Sequence, residues 1–87
     1  MKSVKKTIVV KNKQGLHARP AALFVQIANK FDSQITVSRE GETVNGKSIM
    51  GILTLGATKN SEIIVEAVGR DCQEAILELE KIVSNNE

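Results

Sequence analysis

The 87-residue sequence carries twelve cations, ten acids and one histidine, a net charge of +2, with 41% hydrophobic residues and only two aromatics, Phe24 and Phe31. That size and composition suit one folded domain over residues 1–87, built on Ile, Val, Leu and Ala, with too little interior for a deep active-site cavity. A single cysteine, Cys72, excludes an internal disulfide, no apolar run approaches the roughly 20 residues of a membrane span, and no signal-peptide pattern opens the chain.

A cytoplasmic protein without membrane insertion is therefore expected, and nothing in the sequence calls for more than a monomer. Charge is unevenly placed: residues 1–30 hold seven basic side chains and no acid, while the remainder sums to −5. A basic first third suits docking to an acidic protein surface. Nucleic acid is not an expected partner, because aromatic stacking platforms and known binding motifs are missing. One histidine and one cysteine offer no metal-ligand cluster, so neither a metal nor a cofactor is expected.

In chain order, β-branched Thr7-Ile8-Val9-Val10 reads as a strand, and Lys11-Asn12-Lys13-Gln14-Gly15 as a polar loop closed by glycine. Pro20 stands near a helix start, where proline is tolerated. Phe24, Ile27, Ala28 and Phe31 recur at helical spacing and predict one apolar face. Gln34–Arg39 alternates, with Ile35 and Val37 on one side, and predicts a half-buried strand. Glu40-Gly41 is a turn into a short return strand, Thr43-Val44-Asn45.

Ser48 can cap a short helix carrying Ile49, Ile52, Leu53 and Leu55. Glu62–Val68 is the last strand. Asp71 followed by Glu74 resembles a capping box ahead of an amphipathic helix with Ala75, Ile76, Leu79, Ile82 and Val83. The order β-α-β-β-α-β-α implies an α+β fold in two layers, helices on one face of an at least partly antiparallel sheet. Propensity alone does not order the strands.

His17 follows a glycine loop and precedes the proline, which places it at a helix N-terminus. Free backbone N–H groups and the positive end of the helix dipole favour an anion there. Arg19 adds a planar donor suited to phosphate oxygens. An imidazole beside an anion cradle is the minimum equipment for a covalent phosphohistidine. Ser48 reads locally as a plain N-cap, a role compatible with phosphorylation, since a phosphate at a helix start is favoured by the dipole. Ile49, Met50 and Leu53 cannot all be buried by so short a helix. Met50 is expected to be partly exposed, in a patch suited to several partners. Cys72 is expected to be inert.

Gly15-Leu16-His17-Ala18-Arg19-Pro20-Ala21 resembles the active-site motif of the histidine-containing phosphocarrier protein (HPr) family of the phosphoenolpyruvate:sugar phosphotransferase system. Lys47-Ser48-Ile49-Met50-Gly51 resembles the family's regulatory motif, and the spacing between the two also matches. The resemblance implies an open-faced β-sandwich whose four-stranded antiparallel sheet is ordered 1-4-2-3, with three helices on one face.

It further implies that Enzyme I phosphorylates His17 at Nδ1, with phosphoenolpyruvate as original donor, and that the group passes to Enzyme II A domains. The protein would then be a phosphoryl carrier in sugar transport rather than a stand-alone catalyst. Arg19 would neutralise the transferred group, and amides at the helix start, at Ala18 and Arg19, would bind its oxygens. Ser48 would be the site of a serine kinase and phosphorylase, and Ile49, Met50 and Leu53 a docking patch for partners that include a transcription regulator. A related catabolite regulator lacks the histidine, and His17 argues against that identity. Gln14 and Gly46 depart from many relatives: Gln14 has a longer reach than the usual residue, and Gly46 is expected to loosen the segment before Lys47. The alternatives are a regulatory interaction protein, acting on a transcription factor or kinase through the Ser48 helix, and a nitrogen-type paralogue. Ser48 is expected to lie near the His17 helix start.

Overall fold

The computed structural model describes residues 2–85. Its elements run β1 (Ser3–Val9), α1 (Ala18–Ala28), β2 (Gln34–Arg39), β3 (Glu42–Asn45), α2 (Ile49–Thr54), β4 (Glu62–Val68) and α3 (Cys72–Val83). The sheet order is β1-β4-β2-β3, every pairing antiparallel, as the resemblance implies. Alternation along the strands sends Ile8, Ile35, Val37, Ile63, Val65 and Ala67 into the layer between sheet and helices. Phe24 and Ala28 from α1, Ile52 from α2, and Ala75, Leu79 and Val83 from α3 close that layer. Among the described residues no helix is long and apolar enough to cross a membrane.

Three differences from the sequence reading bear on the packing. β1 begins at Ser3, because pairing with Val68 extends it over the lysines that interrupt its apolar pattern; Lys6 reaches Glu80 of α3 at 2.8 Å. α1 stops at Ala28, where the Asn29 side chain donates back to the Val25 carbonyl at 2.9 Å. Phe31 therefore packs on the core from beyond the helix.

The third difference concerns Asp71. It is the N-cap residue of α3 by position, yet its side chain makes no capping bond, and the predicted capping box does not form. Its carboxylate accepts instead from the backbone N–H groups of Asp32 (2.9 Å) and Ser33 (3.0 Å) and from the Ser33 hydroxyl. Ser33 is fully buried, so these bonds pin the start of β2 to the start of α3. The Ser33 hydroxyl bond, followed by the Asp32 amide bond, holds the Asp71 carboxyl below the ordinary aspartate range.

A carboxylate depressed in the folded state stabilises above its unfolded pKa, about 4, and that contribution fades as pH falls through the lower folded value. Asp71→Asn should therefore lower the thermal midpoint at pH 7. The gap to wild type should narrow below about pH 4. Melting curves from pH 7 to pH 2 check this, and a gap that does not change with pH would contradict it.

Candidate functional site

Two clamps seat the loop before α1. On one side, Lys11 N–H donates to the Val83 carbonyl (2.9 Å). Asn12, only 4% exposed, donates through Nδ2 to the carbonyls of Ile82 (3.1 Å) and Asn85 (2.8 Å). On the other side, Leu16 N–H donates to the Ala57 carbonyl at 2.9 Å. Gly15 lies against Ala57 and Thr58 at φ +72°, and a Cβ there would collide with the Ala57 carbonyl oxygen. The position thus demands glycine twice, for the left-handed backbone and for the close approach.

His17 follows these clamps as the extended N-cap of α1 (φ −86°, ψ −166°). Its carbonyl accepts the first helical bond, from Ala21 N–H at 2.9 Å. Ala18 and Arg19 occupy the first turn, where helix geometry supplies no acceptor for their N–H groups. Pro20 has no N–H to offer, so the donors concentrate on the two residues next to the imidazole. No side chain caps this end and no acid lies in its first turn, which leaves the positive dipole end uncompensated. Arg19 is exposed and takes part in none of the four ion pairs among the described residues.

His17, Arg19 and Gln14 open onto a surface cleft of about 560 Å³, whose far wall is Glu78, Lys81 and Ile82 of α3. Lys81 is paired with Glu78 at 3.2 Å, so Arg19 and Lys13 are the unpaired cations along the cleft. The basic first third does not form one patch. Lys6 pairs with Glu80, Lys5 stands opposite Glu66 in the β1–β4 register, and Lys30 lies beyond the other end of α1. Asn12 and the α3 wall are the parts that sequence reasoning missed. No local signal marks them, since a buried Asn in a polar loop looks like an exposed one until α3 packs on it.

Ser48 caps α2 as expected, its hydroxyl accepting from Gly51 N–H at 3.1 Å. Ile52 faces the core, while Ile49, Met50 and Leu53 are 40%, 66% and 37% exposed and form one apolar stripe beside Ser48. Gly46 does not loosen this segment. It is buried, its N–H donates to the Ile35 carbonyl at 2.7 Å, and a Cβ would strike the Ile35 side chain. The missing side chain is what lets the strand end and the Ile35 backbone meet.

The expected proximity of Ser48 to His17 is also corrected. Lys47 Nζ donates to the Phe31 carbonyl at 2.7 Å, just past the C-terminal end of α1, whereas the residues after α2, through Ala57, adjoin the loop before His17. Ser48 and His17 therefore lie toward opposite ends of α1, whose 11 residues span about 16 Å. Two unit charges at that separation in water interact by only about 0.3 kcal/mol before salt screening. Cys72 is 1% exposed at the start of α3, away from the cleft. Among the described residues, no three His, Cys, Asp or Glu side chains gather to hold a metal ion.

A family model described as "PTS HPr component phosphorylation site" matches residues 4–85, which takes in both the His17 and the Ser48 segments. The chain belongs to the HPr family. It is 51% identical to the HPr-like protein Crh of Halalkalibacterium halodurans over 84% of this chain and 87% of that protein. It superposes on the crystal structure of the phosphocarrier protein HPr from Bacillus anthracis with a TM-score of 0.90, at 47% identity, covering 93% of this chain and 96% of that one. It also matches the crystal structure of an HPr dimer from Thermoanaerobacter tengcongensis at 53% identity, with a TM-score of 0.74, over 95% and 93% of the two chains. An HPr-type chain from that source is thus described as a dimer, where a monomer was expected from this sequence. The HPr match ties the chain to the phosphocarriers of the phosphotransferase system.

Proposed function

We propose that this protein is a phosphocarrier that accepts a phosphoryl group on His17 from Enzyme I and passes it to Enzyme II A domains. The observation that carries the reading is the imidazole at an uncapped helix N-terminus, beside two unpaired amides and an unpaired guanidinium. In the transfer, the Nδ1 lone pair of a neutral His17 forms the P–N bond while the bond from phosphorus to the donor breaks. Its electron pair leaves with the donor, and the ring retains its Nε2 proton. The Ala18 and Arg19 amides and the Arg19 side chain then face the phosphoryl oxygens, whose charge the dipole end also stabilises. The shallow cleft suits handover between proteins, because the group stays reachable from outside.

A second reading is regulatory, and the identity to an HPr-like protein Crh favours it. In that reading Ser48 is phosphorylated, and its phosphate joins Ile49, Met50 and Leu53 in a mixed charged and apolar surface for a regulator. The two roles are compatible in one chain. His17 separates a carrier that is also regulated from a regulator alone.

Phosphorylation by Enzyme I and phosphoenolpyruvate tests the first reading. Wild type should acquire an acid-labile label that His17→Ala lacks while keeping its fold. Equal labelling of the mutant would overturn the assignment. Arg19→Ala should alter stability by about 0.5 kcal/mol or less. It should slow transfer at least ~10-fold, as expected for a charge-assisted contact worth roughly 1.5–3 kcal/mol.

The distance between Ser48 and His17 sets the form of the regulatory effect. A negative charge at Ser48 acts weakly on the imidazole itself, so its influence must come through the docked partner. Ser48→Asp should preserve or raise the thermal midpoint, because an acid suits an N-cap. It should raise the KM for Enzyme I several-fold with little change in kcat. A fall in kcat at constant KM would contradict that route.

A further inference from the structure

We infer that Asn12 is a positioning residue for phosphoryl transfer, fixing His17 against the end of α3 and masking the negative end of that helix; the inference rests on the reading of His17 as the acceptor. Asn12 belongs to the loop that delivers His17, and Gly15 N–H closes that loop on the Asn12 carbonyl at 3.0 Å. Both side-chain N–H groups are spent on α3: one carbonyl is that of Ile82 in the last turn, the other that of Asn85 just beyond it. Since both partners are carbonyl oxygens, the amide can sit only one way round. The loop before the histidine thereby serves as the C-terminal cap of α3.

Two consequences bear on transfer. The last carbonyls of a helix carry partial negative charge, and Ile82 and Asn85 line the same cleft as His17 and Arg19. Left uncapped, those carbonyls would present that charge to the incoming phosphoryl group. The Asn12 amide covers them with donors and leaves the α1 end as the dominant field. Geometry is the second consequence. Lys11 and Leu16 tether the loop through the backbone alone, whereas Asn12 is the side chain that sets how far the loop stands from α3.

An apolar side chain would fill the same space but could not donate to the Ile82 and Asn85 carbonyls, so it is the amide's two donors that matter at the cleft.

The test compares wild type, His17→Ala and Asn12→Ala in phosphorylation by Enzyme I and phosphoenolpyruvate, with thermal melting of each. Asn12→Ala keeps the Lys11–Val83 and Leu16–Ala57 backbone bonds and should fold. Its kcat should fall at least ~10-fold, the scale on which small misplacements of reacting groups act. Its KM for Enzyme I should stay within about twofold, because Asn12 is buried and offers the partner almost no surface. A merely structural tether would lower the melting temperature and leave kcat of the folded protein at the wild-type value, and that result would overturn the inference. Should Asn12→Ala not fold, the similarly sized and uncharged Asn12→Leu, which has lost both donors, takes its place with the same expectation. Wild-type kcat in Asn12→Leu, or failure of both variants to fold, would make Asn12 a stability element and end the proposal. Absence of His17 labelling in wild type would instead defeat the carrier reading, and this inference with it, before any Asn12 variant is compared.

Discussion

The seating of residues 11–16 between the end of α3 and the Ala57 backbone is the constraint on which the site depends. His17 has no capping bond of its own, so its place at the head of α1 is set by what precedes it. Leu16 and Gly15 bind that loop to the segment after α2, and Lys11 and Asn12 bind it to α3. Those anchors are far apart in sequence and meet only because β1 and β4 pair in the sheet beneath them. The sheet order is thus what brings the loop, the end of α3 and the Ala57 backbone together at the head of α1.

The arrangement sets two helix starts toward opposite ends of α1. One is uncapped and carries an imidazole; the other is capped by a serine whose hydroxyl is already hydrogen-bonded to Gly51. Because direct electrostatic coupling across that span is weak, any coupling between them would have to pass through a protein that covers both. In the proposed function, the exposed stripe of Ile49, Met50 and Leu53 would give such a partner its apolar contact. Arg19 and Lys13 are the unpaired cations at the other end.

Features that depend on neighbours in sequence were legible. The helix start at His17, the cap at Ser48, the alternation of Ile35 and Val37, and the exposure of Met50 all follow from spacing and local chemistry. The order 1-4-2-3 came only from the family resemblance, because strand order is set by contacts that propensity does not encode. Asp71 shows the limit well. Its spacing to Glu74 suits a capping box, yet its carboxylate serves Ser33, 38 residues earlier in the chain. Gly46 was misjudged for the same reason: the Ile35 backbone that presses on it is invisible in the local sequence. Asn12 was passed over because burial of a loop amide is decided by the helix that packs on it. The separation of Ser48 from His17 required the antiparallel run of α1 and α2, which no motif specifies.

The central claim is that the free amides at the head of α1, next to His17, receive the phosphoryl group. Its most direct test is a pair of ¹⁵N–¹H amide spectra recorded before and after phosphorylation by Enzyme I and phosphoenolpyruvate. The account predicts large downfield shifts at Ala18 and Arg19, from new bonds to phosphoryl oxygens, and little change at Ile49, Met50 and Gly51 at the head of α2. Shifts concentrated at α2, with Ala18 and Arg19 unmoved, would contradict it.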